Sequence, residues 1–263
     1  MASRRRSIAA GPQPAFVLHQ YDWSESSLIV ELFTRGQGRL VTVAKGAKKP
    51  TSNFRALLMP FQRLTVQLGT ASGDEGSEVH NLRSAEWAGG VPTAGGGALF
   101  AAFYLNELLL KFLPRQDPHE ALFDAYAGTL PALRADDDAA NQTALRAFEL
   151  ALLRLLGWLP DLHCVTATQQ PLQDDTRYAF DAESGMVVAP QGVPGARWRE
   201  FDLALQARDL PALRQALHAW RSPLRVMLRE GLHYHLGASP LRTRRVREGV
   251  LRLLQAPPEQ ARP

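Results

Sequence analysis

The chain has 263 residues, 45% of them hydrophobic and 21% charged, which suffices for a buried core in one large or two ordinary domains and excludes disordered and fibrous classes. A single cysteine, Cys164, excludes an intramolecular disulfide and any multi-cysteine zinc site. The net charge of +4 conceals a sorted distribution: residues 1–63 carry a net +7, residues 64–213 carry −10, and residues 214–263 carry +7. Basic ends around an acidic middle point to a polyanionic partner for the terminal thirds, although helices with solvated basic faces also produce such runs.

The first residues form a basic tail over 1–13. Arg4, Arg5 and Arg6 precede a stretch too short and broken for a secretory signal, and the longest near-apolar run, 98–113, holds Asn106, Glu107 and Lys111. A cytoplasmic protein is expected. Residues 14–90 read as strands at 15–21, 27–34, 39–45, 61–68 and 78–85, separated by turn-forming segments at 22–25, 36–38 and 69–77. In the fourth, Leu64, Val66 and Leu68 alternate with Arg63, Thr65 and Gln67, the pattern of a half-buried antiparallel strand. Five strands with a longer connection over 46–60 fit an OB-type barrel, with an SH3-like barrel as the competitor.

A Gly-rich linker at 91–97, read as a hinge, separates this unit from a mainly α-helical domain over 98–255, followed by a C-terminal tail over 256–263. Apolar residues recur at helical spacing over 98–113, and further helices are predicted at 120–135, 142–156, 201–207, 211–220, 223–236 and 243–254. Gly157 is the expected C-cap of the third helix. A short hairpin, 176–180 with 186–188, is inserted near 171–190. The fold class is α+β: an N-terminal five-stranded OB-type β-barrel followed by a helical domain with a small β element.

No nucleophile elbow, His-Glu-x-x-His, phosphate-binding P-loop or dinucleotide fingerprint is present. His163 with Cys164, and His233 with His235, supply two donors each where a structural zinc needs four, so neither a metal nor a cofactor is expected. Asp136, Asp137 and Asp138 are read as a solvated interhelical loop. The strongest local signal is the segment 43–55, which places Lys45, Lys48, Lys49 and Arg55 with Thr51, Ser52 and Asn53 on a barrel loop. Cations with short polar donors suit a phosphate backbone, and Phe54 or Trp23 offers a stacking face, though Phe54 fits a core position equally well. Arg35 and Arg39, beside the 36–38 turn, join the same candidate surface. A second cluster, Arg242, Arg244, Arg245 and Arg247, opens the last predicted helix, where cations oppose the macrodipole and an anionic partner offsets that cost.

These features resemble the RecO family of bacterial recombination mediators. The resemblance runs through Val17-Leu18-His19, Trp23-Ser24-Glu25-Ser26-Ser27, Val43-Ala44-Lys45-Gly46-Ala47-Lys48, Leu58-Met59-Pro60-Phe61, Leu82-Arg83-Ser84-Ala85-Glu86 and Tyr104-Leu105-Asn106-Glu107-Leu108. It continues through Leu145-Arg146-Ala147-Phe148-Glu149-Leu150 and Leu236-Gly237 followed by Pro240-Leu241-Arg242-Thr243-Arg244, all in order across nearly the whole chain. It implies a protein that breaks no bonds, binds single- and double-stranded DNA, anneals complementary strands, docks on the C-terminal tail of single-strand-binding protein (SSB), and acts with RecR to load RecA at gaps. The zinc held by four cysteines in some members is not implied for a chain with Cys164 alone. An acidic tail ending in an apolar residue needs an apolar pocket rimmed by a cation. Arg146, Leu150, Leu153 and Arg154 fall along one side of the 142–156 helix and are assigned to that pocket, with Leu145, Phe148, Leu152 and Leu155 facing the core. Packing of the two leucines under a neighbouring helix is the competing reading. A nucleic-acid-acting enzyme and an RNA-binding OB module are the alternative functions.

Overall fold

A computed structural model describes residues 11–71, 79–90, 95–237, 241–243, 246 and 249–250. Five strands, β1 (Gln13–Asp22), β2 (Leu28–Thr34), β3 (Gly38–Ala44), β4 (Arg63–Ala71) and β5 (Val79–Trp87), close into a barrel, with the four-residue helix α1 (Phe54–Leu57) between β3 and β4. The order around the barrel is β1-β2-β3-β5-β4, and β3 pairs in parallel with β5 while the other ladders are antiparallel. This is the OB closure, and it decides the choice between the two small barrels that the strand pattern left open.

Strand alternation sends successive side chains to opposite sides. Ala15, Val17, Val30, Leu32, Leu40, Leu64 and Val66 fill the barrel. Their neighbours Phe16, Leu18 and Phe33 point outward, with Phe61, and are buried just as completely in the core of the helical domain. That domain contains α2 (Gly96–Phe112), α3 (Glu120–Thr129) with a 3₁₀ turn after it, α4 (Asp138–Leu155), α5 (Gly195–Gln206), α6 (Leu210–Leu217) and α7 (Arg221–Leu236). Between α4 and α5 lies a sheet of β6 (Arg177–Asp181), β7 (Gly185–Val188) and β8 (Val193–Pro194), one strand more than the predicted hairpin. Among the described residues no helix is long and apolar enough to cross a membrane.

The seam between the two units is aromatic. The Phe16 ring lies 5.1 Å from Phe123 and 4.9 Å from Tyr126, and Phe33 lies 5.5 Å from Phe123. The β1–β2 register skips at Leu18, and its carbonyl accepts a hydrogen bond from Asn106 Nδ2 at 2.7 Å, while Asn106 Oδ1 accepts from the Tyr126 hydroxyl. Burial pushes the Tyr126 phenol well above its ordinary range, so it remains a donor. At Gly38 the backbone has φ +71 and a Cβ would stand 1.8 Å from the Asp117 carbonyl oxygen, so only glycine admits this approach. Gly95, Gly96 and Gly97 open α2 rather than swinging freely: Gly96 has φ +58 and lies against the Ala135 carbonyl.

The acidic run also has a structural use. Asp137 caps α4 by accepting from the Ala140 amide, and Asp138 sits in its first turn, where negative charge complements the helix dipole. Gly157 follows α4 at φ +75 as expected of a C-terminal stop.

Replacing Asn106 strands two buried polar groups. Asn106→Ala is expected to lower unfolding stability by about 2–4 kcal/mol, read by urea denaturation, because Leu18 O and Tyr126 OH both lose their partner. A loss below about 1 kcal/mol would mean that the seam does not depend on this bridge.

Candidate nucleic-acid interface and two clefts in the helical domain

The lysine loop leaves β3 through a turn at Gly46, φ +72, and is tied to the β1–β2 turn. The Lys48 amide donates to Ser26 O at 3.0 Å, and Lys48 Nζ donates to Ser24 O at 2.9 Å and pairs with Asp22 at 3.0 Å. Lys48 therefore acts as a brace. Lys45, Lys49 and Arg55 are exposed and form no ion pair among the described residues, which leaves three cations on a rigid loop. Phe54 is half-buried against the barrel core, so it is not the stacking face. Trp23, in the adjoining turn, is 65% exposed.

Arg35 and Arg39, unlike Lys45 and Lys49, are engaged by other residues of the protein. Arg35 grips Glu120 at 2.7 Å and both oxygens of Asp124, and the Asp124 hydrogen bond and charge raise its already high pKa. Arg39 is mostly buried, donates to Leu113 O at 3.0 Å and meets the buried Glu31 carboxylate, which Arg115 also contacts at 3.3 Å. Both arginines fasten barrel to helices. The reason lies in pairing with residues far along the chain, which local charge counting cannot register.

In the C-terminal cluster, Arg242 is exposed, while its amide and the Thr243 amide and hydroxyl all donate to Glu107 at 2.6–2.9 Å. Glu107 thus caps this helical start, offsetting the charge conflict inferred for it. Arg244, Arg245 and Arg247 lie outside the described residues.

The single face assigned on α4 does not exist as drawn. α4 is the central helix, packed by α2, α3, α5, α6 and α7. Leu150 and Leu153 are fully buried. Arg146 is buried and pairs with Glu149, whose carboxylate also accepts from the Tyr104 hydroxyl at 2.7 Å. Arg154 instead meets the buried Asp202, together with His163 and Gln206. The two arginines open onto different clefts. The first, of about 260 Å³, lies between α2, α4 and α7 and is lined by Arg146, Arg225, Arg229, Phe100, Leu145 and Leu241. The second, of about 290 Å³, is lined by Ala125, Ala151, Leu155, Leu205 and Leu213, with Arg154 and Arg208 at its rim. Arg225 and Arg229 are missing from the sequence reading, although their spacing of four on one helix was the available signal.

Among the described residues no three His, Cys, Asp or Glu side chains gather as metal ligands. His163 Nε2 lies 2.6 Å from Asp202, and His235 stacks on Trp158 with centroids 4.3 Å apart, where burial lowers its pKa. The Cys164 thiol is held above its ordinary range by desolvation and by Asp161, the opposite of an activated nucleophile.

Burial raises the Glu149 carboxyl above the usual carboxylate range against the opposing pull of Arg146 and Tyr104. Arg146→Ala removes that pull and leaves a buried carboxylate, at an expected cost of about 3–5 kcal/mol near neutral pH. A carboxyl whose folded pKa lies above its unfolded value loses stability as pH rises between the two, so the deficit measured by urea denaturation is expected to shrink on acidification from pH ~8 to ~5. A pH-independent deficit, or none, would show that the ion pair carries no weight.

The family profile described as Recombination protein O N terminal matches residues 12–90, and that described as Recombination protein O C terminal matches residues 96–245. The DNA repair protein RecO of Polaromonas naphthalenivorans is 47% identical over 251 residues, covering 94% of this chain and 97% of that protein. The namesake of Delftia acidovorans is 46% identical over 255 residues, with the same coverage, and that of Verminephrobacter eiseniae is 47% identical over 239 residues, covering 89% and 94%. With both domains matched in order and relatives aligned nearly end to end, the chain belongs to the RecO family of DNA repair proteins.

Proposed function

We propose that the protein is a non-enzymatic, cytoplasmic mediator of recombinational DNA repair, which binds and anneals DNA through its barrel and receives the SSB tail on its helical domain. Cooperation with RecR in loading RecA at gaps is part of the same proposal. The observation that carries DNA binding is the exposure of Lys45 and Lys49 on the loop that Lys48 braces, and of Arg55 on α1, none of them in an ion pair among the described residues. Cations held in place beside an OB barrel attract a phosphate backbone and release its counterions.

For the tail, the first cleft fits better than the second. It combines apolar Phe100, Leu145 and Leu241 with three guanidinium groups, two of them, Arg225 and Arg229, exposed and outside any ion pair among the described residues. At its floor, Arg146 Nε is buried and has no hydrogen-bond partner. A carboxylate held by the exposed Arg225 and Arg229 gains charge-assisted hydrogen bonds while its apolar neighbour is covered, and Glu149, which also lines the cleft, stays paired with Arg146.

Two measurements test these halves separately. Neutralising Lys45 and Lys49 to Gln is expected to flatten the slope of log K against log salt for single-stranded DNA by about 1.4, at about 0.7 for each phosphate contact. An unchanged slope would remove the loop from the DNA path. The tail is tested calorimetrically with a synthetic SSB C-terminal peptide. Changing Arg225 and Arg229 to Glu is expected to weaken peptide binding at least tenfold, on the order of 1.4 kcal/mol, while Arg208→Glu leaves it within about twofold. The reverse pattern would move the tail to the second cleft.

A further inference from the structure

Two large aromatic side chains stand in solvent at one end of the barrel. Tyr21 is 47% exposed at the end of β1, and Trp23 is 65% exposed in the turn that follows. Turns favour small polar residues, and the rest of this one conforms, with Asp22, Ser24, Glu25, Ser26 and Ser27. A tryptophan there covers no core and contributes nothing visible to folding.

The turn is also stiff. The Trp23 and Ser24 amides both donate to Ser27 O, at 3.3 and 3.4 Å, and the Ser27 amide donates back to Ser24 Oγ at 3.2 Å. Lys48 closes it from outside, contacting Asp22, Ser24 and Ser26. The same loop carries the free Lys45 and Lys49, so the ring and the cations are parts of one braced unit. Tyr21 is steadied by His19, whose ring meets it edge-on at 4.4 Å.

We infer that Trp23, assisted by Tyr21, is a base-stacking platform that makes the barrel select single-stranded over duplex DNA. This rests on the DNA-binding reading above and deepens it. A cation contacts phosphate in either form of DNA, whereas a free aromatic face has value only where bases are unstacked and available, as in a single strand. The first inter-strand loop of an OB barrel is a location where oligonucleotides lie. Trp87 provides an internal contrast. It is equally exposed, at 66%, but it pairs with Leu64 across from Ala15, near the opposite end of β1 from the lysine loop.

The test compares an oligothymidylate, an abasic strand of the same length and a mixed-sequence hairpin duplex, with binding by wild type, Trp23→Ala, Trp23→Phe and Trp87→Ala. Trp23→Ala is expected to bind oligothymidylate about tenfold more weakly, with an unaltered salt slope, and to bind the abasic strand and the duplex as wild type does. Trp23→Phe should recover most of the loss, and Trp87→Ala should show none. An exposed residue costs little fold stability when truncated, so equal melting temperatures serve as the folding control. Wild-type affinity of Trp23→Ala for oligothymidylate, or an equal loss on the abasic strand, would overturn the platform while leaving the phosphate loop intact. If the wild type binds none of the three, the DNA-binding reading falls and the platform falls with it.

Discussion

At the one irregular step of the β1–β2 ladder, the Leu18 carbonyl turns out of the barrel and would be buried without a partner were Asn106 not there to donate to it. Asn106 is held in turn by Tyr126, and around this bridge Phe16, Phe33, Phe123 and Tyr126 interlock. A bulge bends its strand and re-aims the groups around it. Both faces of β1 meet apolar surroundings, one the barrel interior and one the helices. The barrel and helical domain therefore share continuous packing.

The seam also divides the cations. Arg35, Arg39, Arg115, Arg146 and Arg154 are held by carboxylates, several of them deeply buried, and serve to orient elements. Lys45, Lys49, Arg55, Arg225 and Arg229 face solvent without such partners among the described residues, and they fall into two separate groups: the barrel loop and the cleft beside α7. DNA and an acidic peptide tail are both polyanions, and the proposed function receives them on these two different elements. Of the arginine–carboxylate pairs, Arg35 with Glu120 and Asp124 joins the basic first third of the chain to its acidic middle.

The periodicities that local physics imposes were legible. Alternation located the five strands to within a few residues, and three- and four-residue spacing located the helices up to residue 236, though α5 begins six residues before its expected start; the helix expected at 243–254 lies largely outside the described residues, and Gly157 marked the end of α4. What was not legible depends on partners distant in sequence. Arg35 and Asp124 are 89 positions apart, and Arg39 and Leu113 are 74 apart, so a local count classes both arginines as free surface charge. α4 reads as having a core side and a free side, yet five helices surround it, and nothing in its own eighteen residues reveals that number. β8, with two residues, is too short to carry a period at all. The lysine loop was found because its cluster is local, and Lys48's different role was missed because its partners sit across the β1–β2 turn.

DNA is proposed to lie on the β1–β2 turn and the loop after β3, with Arg35 and Arg39 held at the seam. Amide hydrogen exchange with and without a single-stranded oligonucleotide tests that division most directly. Slowed exchange is predicted across residues 22–27 and 45–55, with residues 35–39 and 115–124 unchanged. Protection centred on 35–39 and 115–124, with the lysine loop unaffected, would contradict it.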